Sequence, residues 1–174
     1  MTTGHDEVLD LVDRNDKVIG CEKRSIVYAK KLSNFRVINA FIKTSQGELW
    51  IPRRTATKNI FPLCLDVSVG GHVESGEDYE VAFKRETKEE TNLDMERVSY
   101  KLLGHLTPHE HGVSAFMKVY EIKSEATPDY NKDDFVESFW IKPKDLLKKI
   151  AEGEKAKGDL PKLVEIFYGN LCKS

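Results

Sequence analysis

Short apolar runs broken by turn-forming clusters fill most of the chain and predict a β-rich body with a few helices. Residues 7–13 and 17–21 flank Arg14, Asn15 and Asp16, a polar trio of turn-forming type, and read as an N-terminal β-hairpin over about residues 7–24. Its expected place is at an edge. Ser25 is placed to cap a short helix reaching Leu32. Residues 36–43 and 48–53 surround Ser45, Gln46 and Gly47 and predict a second hairpin. Residues 63–69 predict a strand leading into the turn at Gly70 and Gly71. Residues 98–106, 113–122 and 135–141 predict further strands, with residues 107–112 as a loop. Apolar residues then recur at helical spacing in two helices, residues 145–152 and about 160–172. The charged stretch 152–159 is a weak linker between them.

Between the glycine turn and residue 93 the pattern changes from apolar to acidic. If residues 78–91 are helical, Glu86, Glu89 and Glu90 fall within an arc of roughly 100°. Carboxylates so crowded destabilise their helix unless a cation joins them. An all-oxygen donor set favours magnesium, manganese or calcium over zinc, and magnesium characteristically bridges carboxylates to substrate phosphates. The competing reading is a solvated acidic stripe.

Gly71, Glu77, the pair Arg85 and Glu86, the pair Glu89 and Glu90, and Leu93 together decide between them. This spacing resembles the motif of the Nudix hydrolase family, occupying residues 71–93. The resemblance implies an α/β protein with the Nudix fold, a mixed β-sheet sandwiched between helices, here with an added N-terminal hairpin and a single domain over residues 1–174. It implies a hydrolase that splits a diphosphate linkage with Mg2+, for which Mn2+ can substitute. Glu86, Glu89 and Glu90 would be metal ligands, assisted by the Gly70 carbonyl. Arg85 would pair with Glu77 or a ligand to fix the helix face, and Glu86, Glu110 or Glu137 would handle the attacking water. Arg53 and Arg54, and less so Lys58, match basic residues that face substrate in similar chains. Two positions depart from the motif: Thr87 stands where an aliphatic residue is usual, and Asn92 where a glycine is usual. Asparagine tolerates the left-handed backbone that ends a helix.

The resemblance extends over roughly residues 6–150 to the branch that includes isopentenyl-diphosphate isomerase. Positions that supply two histidines and a cysteine to that isomerase hold Tyr28, Phe35 and Gly70, so only His72 remains of its set. The expected reaction is therefore hydrolysis of a nucleoside diphosphate or a derivative. Isomerisation, and a non-catalytic module that only binds a nucleotide, stand as alternatives.

Composition removes some other classes. A chain of 174 residues with 40% hydrophobic and 32% charged residues suits one globular domain. A net charge of −2 gives no drive toward nucleic acid or an anionic membrane. No apolar run or N-terminal pattern suggests a membrane span or signal, so a cytoplasmic location is expected. Cys21, Cys64 and Cys172 lack zinc-like spacing and read as free thiols. His109 and His111 with Glu110 form a candidate second metal loop, weighed against a solvated or substrate-closing loop. Trp50, Phe61, Phe116 and Tyr120 are candidates for stacking on a base, with burial in the core the expectation for each. The N-terminal hairpin and C-terminal helix are natural surfaces for a homodimer.

Overall fold

The computed structural model describes residues 5–172, with the side chains of residues 171 and 172 excluded. Strands β1 (Val8–Val12) and β2 (Val18–Lys23) pair antiparallel as the expected hairpin, with Asp16 left-handed in its turn at φ 62°. They form a separate two-stranded sheet instead of an edge of the main one, joined to the motif through a bridge from Leu9 to Glu74. Helix α1 (Arg24–Ala29) follows. Ser25 does not cap it: Lys23 occupies that position, and the Ser25 hydroxyl donates to Asp6 Oδ2 at 2.6 Å.

The main sheet has six strands. Strands β3 (Arg36–Lys43) and β4 (Leu49–Arg54) make the second hairpin, and β5 (Val69–His72) lies against the first half of β3. Strands β6 (Ser99–Leu106), β7 (Phe116–Lys123) and β8 (Phe135–Ile141) complete the order β6-β7-β3-β4-β8. The β3–β7 pair is parallel and the others are antiparallel, so the sheet is mixed. Alternation along β3 splits the core. Ile38, Ala40 and Ile42 face helix α2 (Tyr79–Thr91) with Trp50, Phe83 and Tyr120, whereas Phe41 faces helices α4 (Pro143–Ala151) and α5 (Leu160–Tyr168) with Met117, Leu146 and Leu163. The expected layer of sheet between helices is the observed one.

Three predicted boundaries moved. The strand expected at residues 63–69 lies further on, at β5, because the glycines are themselves extended and paired with Ile38 and Asn39. Residues 107–112 hold a one-turn helix, α3 (Pro108–His111), which Thr107 caps and left-handed Gly112 closes. Helix α5 ends at Tyr168 and a 3-10 turn, Gly169–Cys172, replaces its last residues. The stretch 152–159 is tied down by the Lys157 N–H, which donates to the Leu65 carbonyl at 2.8 Å. Among the described residues no helix is long and apolar enough to cross a membrane.

Candidate active site

Helix α2 carries the acidic residues, and its ends follow from local chemistry. Asp78 caps the N-terminus by accepting from Val81 N–H at 2.8 Å, and Asn92 ends the helix at φ 56° with its N–H on the Lys88 carbonyl. Ala82, Phe83, Thr87 and Thr91 form the buried face, with the Phe83 ring stacked on Tyr120 at 4.0 Å. Thr87 is fully buried, and its hydroxyl donates back to the Phe83 carbonyl at 2.7 Å, so this departure from the motif leaves no polar atom unmatched.

The flank of the helix turned toward β5 holds the chemistry. Gly70 N–H donates to Glu90 Oε1 at 2.9 Å. In an extended strand a residue's N–H and C=O point to the same edge, so the Gly70 carbonyl lies on the Glu90 side of β5. Gly71 permits close approach: a Cβ there would sit 2.2 Å from Glu86 Cδ. Arg85 binds the motif loop to the helix. Its Nε and Nη2 donate to the Glu77 carboxylate at 2.7 and 2.9 Å, Nη2 also reaches the His72 carbonyl, and Nη1 donates to Glu86 Oε1 at 2.9 Å. Burial works against ionised Glu77, but the Arg85 bonds outweigh it and hold its carboxyl below the usual range.

Glu86 and Glu90 behave in the opposite way. Burial, then the charge of Glu89 against the counteracting Arg85, pushes Glu86 up to about 7. Glu90 is raised well above its ordinary value by burial and by the facing Glu86 charge, with Asp66 and Asp134 adding to it. Two neighbouring carboxylates withdrawn from water, one of them raised further by the charge of the other, form a natural seat for a hard cation, and the donors within reach are all oxygens. Glu89 is half-exposed and 3.6 Å from Arg85 Nη1. Among the described residues no three His, Cys, Asp or Glu side chains converge as a closed metal cage, either on α2 or around α3. In α3, Glu110 is exposed, His109 Nε2 lies 3.6 Å from it, and His111 Nδ1 accepts from Thr107 N–H.

Arg53 and Arg54 stand at the end of β4 within a network. Arg53 faces Glu137 across the β4–β8 register and donates to it, to Glu154 Oε1 at 2.6 Å and to the Leu63 carbonyl at 3.1 Å. Arg54 donates to Asp66 Oδ2 at 2.8 Å and to the Ile60 carbonyl at 3.2 Å. Lys58 Nζ donates to Asp134 Oδ1. Arg53 is thus brought to Glu137, whereas Arg54 and Lys58 are brought to the aspartates that act on Glu90. Of the stacking candidates, Trp50, Phe116 and Tyr120 are buried as expected. Phe61 is not: it is 40% exposed.

Asp66, Asp134 and Glu7 were not anticipated as parts of this site. Asp66, a charge inside the apolar run 63–69, was a readable signal. Glu7 carried none; it arrives from the hairpin, where burial raises its carboxyl, Oε2 is buried without a hydrogen-bond partner, and His72 Nδ1 lies 3.5 Å away. His72 itself is buried and depressed to about 3, hence neutral, with Nε2 on the Tyr28 hydroxyl at 2.7 Å and its ring stacked on Phe35. The positions that would carry isomerase histidines therefore pack as aromatic partners of His72.

Comparison with known proteins places the chain in a family. Residues 34–160 match the NUDIX domain model. An uncharacterised Nudix hydrolase of Nostoc sp. is 60% identical over 94% of this chain and 97% of its own length. A Nudix hydrolase of Deinococcus radiodurans is 48% identical over 94% of this chain and 95% of its own. A crystal structure from the same organism, also 48% identical, superposes with a TM-score of 0.90 over 93% of this chain and 99% of that one. More distantly, an isopentenyl-diphosphate isomerase of Photorhabdus laumondii is 27% identical over 78% of this chain and 77% of its own.

Proposed function

The chain belongs to the Nudix hydrolase family, and from that premise we propose that it cleaves the diphosphate linkage of a nucleoside diphosphate or a derivative, with Mg2+ or Mn2+ as cofactor. The observation that carries this reading is the pair Glu86 and Glu90, both withdrawn from water and packed against the Gly70–Gly71 edge of β5. A protein that merely bound a nucleotide would gain nothing from so costly an arrangement. When bound there, a divalent ion shields the phosphate charge and lowers the pKa of a water.

The chain's own residues do the rest. Glu86, Glu89 and Glu90 with the Gly70 carbonyl would hold the cation, and Arg85, anchored on Glu77, orients Glu86. Water attacks phosphorus, the bridging P–O bond breaks, and the proton lost by the water passes to a carboxylate. Glu86, held by Arg85 beside the cation site, is a candidate for that role. Glu137, exposed and paired with Arg53, is its rival. Arg53 and Arg54 stand at the strand end where phosphates would approach, and binding there would exchange their present carboxylate partners for phosphate oxygens.

Isomerisation needs an acid and a base placed across an alkene. Tyr28 and Phe35 instead enclose a neutral His72, which supports hydrolysis over that alternative. Free Cys21 and Cys64 fit a cytoplasmic setting, and exposed Val18 and Ile19 on β2 fit a homodimer contact. The test is incubation with Mg2+ and a panel of nucleoside diphosphates, triphosphates, nucleotide sugars and prenyl diphosphates, with released phosphate and double-bond position as readouts. Hydrolysis of a nucleotide that stops on chelation is the expected result. Binding without turnover would favour a sensing module, and formation of dimethylallyl diphosphate would restore the isomerase.

A further inference from the structure

Phe61 and Leu63 hold left-handed backbones, at φ 52° and 60°, and both side chains stand in solvent, 40% and 45% exposed. Bulky residues adopt this conformation only where neighbours impose it, and such strain gathers at ligand clamps. The neighbours are the β4 arginines. Arg54 Nε donates to the Ile60 carbonyl at 3.2 Å and Arg53 Nη1 to the Leu63 carbonyl at 3.1 Å, one on each side of Phe61. The loop is closed further by Arg54 N–H on the Cys64 carbonyl at 2.9 Å. Held in this way, Phe61 is directed away from the core that takes Trp50, Phe116 and Tyr120.

The same loop borders the acidic site. Arg54 bonds Asp66, and Lys58 bonds Asp134, whose N–H donates to the Asn131 carbonyl at 3.0 Å, while the Asn131 N–H donates to the Glu90 carbonyl at 2.8 Å. On the other flank Phe61 Cζ would lie 3.7 Å from a Cβ at Gly158, and the preceding Lys157 reaches within 3.9 Å of Asp66. An apolar plate whose rim holds Arg53, Arg54, Lys58 and Lys157, each on a carboxylate that a phosphate could replace, suits a ligand that is flat and apolar on its faces, polar on its edge and anionic at one end. A nucleotide has that make-up. An alkyl chain lying on so open a plate would leave half of its surface in water, whereas a nucleobase keeps its polar edge there at no cost.

We propose that Phe61, with Leu63 beside it, is the platform on which the substrate's nucleobase stacks, a reading that rests on the hydrolase function above and assigns the base its place. Stacking of a base on an aromatic side chain contributes about tenfold or more in affinity. Phe61→Ala therefore raises KM for ADP, GDP, CDP or UDP, whichever is cleaved, about tenfold, and leaves the inhibition constant of inorganic pyrophosphate unchanged. Phe61→Trp keeps the wild-type KM. Because Phe61 is exposed, both variants retain the thermal transition of the parent.

An equal effect of Phe61→Ala on nucleotide and pyrophosphate, or no effect on the nucleotide, overturns the platform. If the parent cleaves no nucleotide of the panel above, the hydrolase reading falls, and the platform is judged without turnover. Fluorescence of the Phe61→Trp variant, corrected for the parent's signal, is then titrated with nucleoside 5′-monophosphates and with ribose 5-phosphate. A change with the nucleotides alone upholds the platform, and an equal or absent response to both overturns it.

Discussion

Arg85 grips Glu77 with two nitrogens, Nε on Oε1 at 2.7 Å and Nη2 on Oε2 at 2.9 Å, and so ties the start of the motif loop to the second half of α2. Lysine has no fork with which to copy this planar bond. Arg85→Lys is expected to lower kcat about 10–100-fold and to raise the Mg2+ concentration giving half-maximal rate. A magnesium titration of the variant reads both; an unchanged midpoint and kcat would remove Arg85 from the positioning role.

The raised carboxyls make stability depend on pH and on metal. Glu86 titrates near 7 in the folded chain against an ordinary 4.5, so between these values the folded state binds more protons than the unfolded one and loses stability as pH rises. Glu90 adds to the slope in the same direction. In chelator, Tm is expected to fall between about pH 5 and about pH 7, and saturating Mg2+ should largely abolish the fall. Glu90→Gln should flatten the chelated profile while costing far more in kcat than in KM. Scanning calorimetry with and without Mg2+ makes the comparison.

His72 imposes the reverse slope at lower pH. Its folded value near 3 lies below the ordinary 6.5, so the stability of the neutral ring is fully present above 6.5 and is lost as pH falls toward 3. His72→Gln should weaken this acid dependence. Tyr28→Phe removes the hydroxyl partner of Nε2 and is expected to cost about 1 kcal/mol, roughly 2–4 °C in Tm, with hydrolysis retained and isomerisation still undetectable by NMR.

Gly71→Ala tests close packing without replacing any of the acidic residues. The added methyl would meet Glu86 Cδ at 2.2 Å, so the carboxylate must move. Displacement of about 1 Å is expected to lower kcat around 100-fold, with a folded circular dichroism spectrum. Wild-type activity in this variant would show that Glu86 has room to spare.

Much of this site was readable from spacing because its parts lie within one local stretch. The helix itself, the left-handed Asn92 that ends it and the pairing of Arg85 with Glu77, which the family resemblance implied, all lie within this one stretch. The hairpins and the two core faces were equally legible, since alternation along β3 records which side each residue buries. What escaped depends on distant segments meeting. Arg53 meets Glu137 only because β4 pairs with β8, a neighbour far along the chain. Glu7, Asp66 and Asp134 reach the field of Glu86 and Glu90 from three separate elements. Phe61 looked like a core aromatic, and composition gave no sign that two arginines would hold its backbone left-handed.

The small hairpin sheet has a dynamic consequence for the motif. Ser75 N–H donates to the Val8 carbonyl at 2.8 Å, the Ser75 hydroxyl and Gly76 N–H both donate to the Asp10 carboxylate, and Leu9 bridges to Glu74. The amides that open the motif thus face a strand of the hairpin, not bulk water. Their exchange with deuterium should follow the opening of β1 and not the fraying of a surface loop, so that the hairpin and the first turn of the motif breathe as one cooperative unit.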